Sequence, residues 1–503
     1  MIELEHVNFA YEGAEDNPVL KDISLHIGKG ELVVLAGTSG CGKTTLTRLL
    51  NGLIPDCCHG ALTGTVQVCG KDPAQEKAVG MSARVGSVFQ NPKSQFFNIN
   101  SRNELAFPLE NRGVPREEIL ASMQKASREL HMEHLVGRNM FHLSGGEKQK
   151  IAFVSVSMAD TEVLVLDEPS SNLDMEAVRD LRRILELWKG QGKTVVISEH
   201  RFFFLKDLVD AFVLMENGSI TRVFRREELT LLTPEFLHRK GLRSFDLVPD
   251  FGPERPKKPE DSFLQINSLQ FTYPGTEYGI HMQQQIFHRG HVVAVAGHNG
   301  AGKSTFLRCL SGLQKRVDGE IIIDGKKTAP NKMLARCAMV MQDVNHQLFS
   351  DSVERELLYE LKRRKLPVDQ REKIVSQWLE QIQLTEVREH HPMAISGGQK
   401  QRLAIAAAAL SDREIILFDE PTSGLDFVHM EQVSALIRHL ADQNKLIFIV
   451  SHDPDLLMRV CDDVVILEEG QIKEHYPLNG DTQGHLVQWF RELYGQEGQL
   501  EER

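Results

Sequence analysis

At 503 residues the chain is too long for one ordinary domain, and its 41% hydrophobic and 25% charged residues are the balance of a water-soluble globular protein. Its 58 basic and 70 acidic residues leave a formal net charge of −12, which argues against nucleic acid as the main partner. Seven irregularly spaced cysteines predict reduced cytosolic thiols rather than a disulfide framework.

The opening stretch, "MIELEHVNFAY", has no basic start, apolar core or cleavage site, so no signal peptide is expected. No run of 18 apolar residues follows, so any membrane role must come through a partner. A strand, "ELVVLAG", then leads into Gly37, Thr38, Ser39, Gly40, Cys41, Gly42, Lys43, Thr44 and Thr45. Between a strand and a helix, this glycine loop can curl backbone N–H groups around phosphate oxygens, with the helix dipole behind them. Lys43 would reach the β and γ phosphates and Thr44 would ligate Mg²⁺. Tyr11, upstream, offers an aromatic face for adenine stacking, against the plainer role of a half-buried strand residue.

Further on, "VFQNPKSQFF" carries Gln90 and Gln95 before an apolar pair. Ser144, Gly145 and Gly146 open a helix, either as an ordinary N-cap or as a second anion-binding end suited to a γ-phosphate, the reading favoured here. "VLVLDEP" ends an apolar strand on Asp167, whose buried charge a water-bridged Mg²⁺ would offset, and Glu168 follows to polarise an attacking water. His200 comes after the next strand; a lone histidine there is more often structural.

All of this is written twice. Tyr273, then Gly297, His298, Asn299, Gly300, Ala301, Gly302, Lys303, Ser304 and Thr305 repeat the first loop. Gln342, then Ser396, Gly397 and Gly398, then Asp419, Glu420 and His452 follow in the same order. The matched order turns the isolated histidines and "DE" pairs from ordinary residues into site candidates. Domains are therefore expected at 1–225 and 263–480, with a linker at 226–262 and a tail at 481–503. The linker's second part, with Pro249, Pro253, Pro256 and Pro259, reads as extended. Each half alternates helices with short apolar strands, an α/β pattern around a largely parallel sheet.

This order of aromatic, P-loop, glutamine, "SGG", "DE", "SNLD" or "SGLD" and histidine resembles the ATP-binding-cassette (ABC) ATPases over nearly the whole of both halves. The resemblance implies two tandem P-loop NTPase domains, each with a mostly parallel core sheet, an antiparallel β subdomain and a helical signature subdomain. It implies ATP and Mg²⁺ as cofactors, with Gln90 and Gln342 as metal ligands. It also implies head-to-tail sites: Lys43, Thr44, Gln90, Asp167, Glu168 and His200 with Ser396, Gly397 and Gly398, and the mirror set with Ser144, Gly145 and Gly146. Asp174 and Asp426 match the loop that crosses between such sites.

"QNPKSQFF", "NGLIP" and "GALTGTVQVCGKD" resemble the ATPases of energy-coupling factor (ECF) transporters, motors of vitamin and metal-ion importers. The second copy departs, with Asp343 and Val344 in place of Asn and Pro. That resemblance implies a peripheral protein on the cytoplasmic face, partnered by an integral transport subunit and a substrate-binding membrane component. Translation factors of the ABC-F type would carry a charged helical linker and a basic surface. Tandem sugar-import ATPases are not expected to carry the glutamine phrase, and a chromosome-type coiled coil has no room. Gln95, Phe96 and Phe97, with Gln347, Leu348 and Phe349, are expected to line a groove for partner helices. Cys57, Cys58 and His59 are contiguous and lack metal-site spacing, while Cys41 is expected to be open to alkylation. Leu486, Trp489, Phe490 and Leu493 share one helical face, expected to pack on the chain itself.

Overall fold

The runs that precede the motifs become strands buried at every position: Leu32–Ala36, Val163–Asp167 and Thr194–Ser198 in the first half. Strands covered on both faces belong in the middle of a parallel sheet. The computed structural model describes residues 1–90, 95–171, 173–246, 261–362, 364 and 366–494. The chain divides into two compact units, 1–247 with 424–428, and 248–423 with 429–503.

In the first unit the strands are β1 (Ile2–Tyr11), β2 (Leu20–Ile27), β3 (Leu32–Ala36), β4 (Gly60–Val68), β5 (Val85–Val88), β6 (Val163–Asp167), β7 (Thr194–Ser198), β8 (Ala211–Glu216) and β9 (Ser219–Arg225). The core sheet has the order β5-β6-β7-β3-β8-β9 and is parallel except for β9. A second, antiparallel sheet has the order β2-β1-β4. Phe9, Ile23, Val33, Leu46 and Val196 belong to one buried cluster drawn from both sheets and the helix Lys43–Leu50. Between β5 and β6, helices Ser101–Glu110, Arg116–Glu129 and Gly145–Met158 pack on one another as the helical subdomain.

The second unit repeats this plan with β10 (Ser262–Thr272), β11 (Gly279–His288), β12 (Val292–Gly297), β13 (Asp318–Ile323), β14 (Lys326–Thr328), β15 (Cys337–Val340), β16 (Ile415–Asp419), β17 (Leu446–Val450), β18 (Asp463–Glu468) and β19 (Gln471–Pro477). Its core sheet runs β15-β16-β17-β12-β18-β19, again with only the last strand antiparallel, beside an antiparallel sheet β11-β10-β13-β14. The tandem α/β architecture read from the sequence is the one found.

Residues 226–246, placed with the linker in the sequence reading, fold into the first unit. Thr233 caps the helix Pro234–Arg239, and Leu237 and Leu242 are buried. The stretch with Pro249, Pro253, Pro256 and Pro259 lies outside the described residues. The C-terminal helix Gln483–Tyr494 buries Leu486, Phe490 and Leu493 in the second unit. Trp489 stays partly exposed, its ring 6.4 Å from that of His298 in the second P-loop.

Candidate functional site

In each unit the P-loop, the aspartate–glutamate pair and the histidine gather at the carboxyl ends of the core strands, where open α/β sheets place their ligands, while Ser144 and Ser396 open helices of the helical subdomain. The first P-loop joins β3 to the helix Lys43–Leu50. Gly42 turns at φ 105°, a left-handed conformation that favours glycine. The Lys43 ammonium is buried and donates to the carbonyls of Gly37 (2.7 Å) and Thr38 (3.1 Å), so the loop folds around it. Lys303 does the same to Gly297 (2.8 Å) and His298 (2.9 Å).

Thr44 Oγ1 donates to Asp167 Oδ1 at 3.2 Å, and Ser304 Oγ to Asp419 Oδ1 at the same distance. Burial raises both aspartates above their ordinary values, partly offset by these hydroxyls. Burial would also raise Glu168, but the His200 hydrogen bond and charge, with help from Lys43 and Gln90, hold its carboxyl below the ordinary value. His200 Nε2 lies 3.1 Å from Glu168 Oε1, and Gln90 Nε2 donates to Glu168 Oε2 at 2.6 Å. In the second unit His452 Nε2 is 3.7 Å from Glu420 Oε1, and the backbone N–H of His452 donates to Oε2 at 3.3 Å. Gln342 is exposed at the end of β15.

Ser144 and Ser396 are realised as N-caps. Each hydroxyl accepts the N–H three residues on, and Glu147 or Gln399 reaches back to the serine N–H at 2.8 Å. Gly145 and Gly397 have open space where a Cβ would stand. The Tyr11 hydroxyl bonds Thr45 Oγ1 at 3.1 Å, and Tyr273 bonds Thr305 Oγ1 at 3.2 Å, which sets each half-buried ring against the P-loop helix. Asp174 caps the helix Met175–Gly190, and Asp426 is buried.

A family model described as "ABC transporter" matches residues 20–171 and 283–423, the two segments that carry the P-loops, the serine-capped helices and the aspartate–glutamate pairs. The chain belongs to the ABC transporter family. A relative from Treponema denticola, provisionally named an ABC transporter ATP-binding protein, is 40% identical over 94% of this chain and 96% of its own length. One from Methanosarcina mazei with the same provisional name is 31% identical over 94% of this chain and 88% of its own. Among solved structures, a model of ribosome-bound archaeal Pelota and ABCE1 matches with TM-score 0.69, 22% identity, and coverage of 96% of this chain and 80% of that one. A structure described as RNase-L Inhibitor matches with TM-score 0.65, 22% identity, and coverage of 96% and 93%. At that identity the structures speak for the fold alone. The ABC domains bind ATP and hydrolyse it.

In this ABC ATPase the glutamine phrase differs from its expected use. Gln95 folds back onto its own unit, where Nε2 donates to Ser87 O at 3.2 Å and Oε1 accepts from Phe89 N–H at 3.4 Å. Gln347 Oε1 accepts from Met341 N–H at 2.7 Å. Leu348 is buried and Phe96 half-buried. The outward surface is therefore made by Phe97, 76% exposed and packed on Phe107, and by Phe349, 65% exposed and packed on Tyr359. Residues 91–94, including Pro92, lie outside the described residues.

Four residues escaped the sequence reading. Glu104, buried, accepts the N–H groups of Phe97 (3.0 Å) and Asn98 (2.6 Å); Glu356 does so for Phe349 (3.1 Å) and Ser350 (2.8 Å). Their equal spacing from the two phenylalanines was a usable signal. Ser198 Oγ donates to Asp167 Oδ1 at 2.5 Å, and Glu199 lies fully buried beside His200. Cys41 is not open to alkylation as expected: it is buried, and burial raises its thiol. Among the described residues no cluster of three or more His, Cys, Asp or Glu could hold a metal ion. Among them too, no helix is long and apolar enough to cross a membrane.

Proposed function

We propose that this ABC ATPase is the motor subunit of an ECF-type importer, with both halves hydrolysing ATP and each half docking a membrane partner. The observation that carries the reading is the doubled aromatic pair, Phe97 with Phe107 and Phe349 with Tyr359, fastened by Glu104 and Glu356. An exposed aromatic on a loop tied down by a buried carboxylate is a rigid anchor, the kind of residue that dominates recognition of a short amphipathic helix.

The chemistry follows from the residues present in each unit. Lys43 and Lys303 neutralise the phosphates, and the capped N-termini at Ser144 and Ser396 offer N–H groups to a γ-phosphate, each pairing with the other half's P-loop as the resemblance implies. One hydroxyl and one carboxylate per unit, Thr44 with Asp167 and Ser304 with Asp419, suit Mg²⁺, which keeps waters and shares phosphate oxygens rather than filling a protein cage. That cation would offset the burial cost of each aspartate and neutralise phosphate charge. Glu168, kept ionised, accepts hydrogen bonds from the attacking water while His200 holds its other oxygen.

Phe97→Ala with Phe349→Ala tests the docking. ATPase of the isolated chain should persist, while capture of a polytopic membrane protein from solubilised membranes and its ATPase stimulation should be lost. Sedimentation of the unaltered chain with ribosomes, with no membrane partner captured, would favour a soluble translation-factor role instead.

A further inference from the structure

We propose that Glu199 is a positioning residue for hydrolysis in the first half, setting the turn that carries His200 and, through His200, the Glu168 carboxylate. The inference rests on the two-site ATPase reading and goes beyond it by making the two sites unequal.

Glu199 is 2% exposed. Its Oε1 accepts the Ser170 N–H at 2.8 Å, and its Oε2 accepts those of His200 (2.9 Å) and Arg201 (3.2 Å). One carboxylate thus ties the loop after the Asp167–Glu168 pair to the turn after β7. Burying a carboxylate is costly even when it is hydrogen-bonded. The fold does not require it, because the second unit builds the same turn with Ser451 at the matching position.

The second unit pins that turn from the other side of the histidine. Thr422 Oγ1 donates to Asp453 Oδ2 at 2.8 Å, and Asp453 N–H donates to Ser451 Oγ at 3.1 Å. Asp453 matches Arg201, and Thr422 matches Ser170. The consequence is visible one residue away: the histidine nitrogen stands 3.1 Å from the glutamate oxygen in the first unit and 3.7 Å in the second. Ser198 adds a donor to Asp167 where the second unit has Val450, which has none to give. Acting through a neighbour, such a residue should alter turnover more than substrate affinity.

The test uses the full chain with MgATP. Glu199→Ala is placed in the parent, in Glu420→Gln, where only the first half turns over, and in Glu168→Gln, where only the second does. In Glu420→Gln, kcat should fall about tenfold with KM changed less than about twofold, and in Glu168→Gln nothing should change. Glu199→Gln, which keeps the volume and one acceptor, should lose less and in the same background, and covers the case where the alanine variant does not fold. Ser170→Thr with Glu199→Ser and Arg201→Asp, the second unit's wording of the turn, should restore the rate. Equal loss in both backgrounds, no loss in Glu420→Gln, or a folded swap variant as slow as Glu199→Ala overturns the assignment. If Glu420→Gln is itself inactive, the two-site reading fails; Glu199 is then judged in the parent, where unchanged kcat overturns its role.

Discussion

Gln90 Nε2 donates to Glu168 Oε2 at 2.6 Å, so the residue just beyond β5 also holds the carboxylate expected to act on water. Gln90→Ala should leave ATP binding near parental and lower kcat by about tenfold, read by steady-state ATPase against nucleotide affinity.

Replacing Glu168 or Glu420 with Gln should slow but not abolish turnover, and the double variant should bind ATP without hydrolysing it. Single-turnover assays with retained nucleotide decide this. A parental rate in one single variant and none in the other would defeat the two-site reading.

The acid side of the activity profile should depend on His200. Burial would push Glu168 up, and the His200 contact keeps it below 4.5. The stability this gives is complete above 4.5 and is lost as pH falls through the lower folded value. Asp167, raised from 3.8 by burial, runs oppositely: its contribution is present below 3.8 and lost as pH rises through its folded value. With His200→Ala the lowering contact goes and burial remains, so the acid limb of kcat in Glu420→Gln should move to higher pH.

Glu104→Ala leaves the N–H groups of Phe97 and Asn98 without their acceptor. The cost should be about 1–3 kcal/mol, seen as a lower denaturation midpoint. Partner capture should fall further than stability. A smaller, independent loss is expected for Glu356→Ala, since Glu104 also accepts from Asn98 Nδ2 at 3.1 Å.

Thiol labelling should begin at Cys57, which is exposed, and leave Cys41 at least about tenfold slower, since a buried thiol with a raised pKa offers little thiolate. Mass spectrometry of timed samples reads the order. Trp489, against His298, should change fluorescence when ATP occupies the second P-loop, and Trp489→Phe should remove that signal.

The motifs were legible because phosphate chemistry restricts them to few residue types at fixed spacing, and their repetition outweighed each plainer explanation. The alternation of apolar runs gave the core sheets for a similar reason: a strand covered on both faces cannot carry many polar residues. Gln95 was misjudged because a glutamine beside phenylalanines looks the same whether it faces a partner or bonds its own strand end. Leu348 was misjudged because period alone does not say which neighbour of an exposed Phe349 turns inward. Glu199 was invisible because its partners are backbone N–H donors, which every sequence offers.

The two aromatic anchors sit in unlike company. Beside Phe97 stands exposed Ile99, whose carbonyl accepts the N–H of Met140, next to exposed Phe141. Tyr359, beside Phe349, carries Lys362 over its ring at 5.0 Å. One surface is wholly apolar and the other carries a cation beside its aromatic rings. On the proposed docking, a single polypeptide would deliver both surfaces, so a partner with two dissimilar helices would engage them in one order only, without any sorting between separate chains.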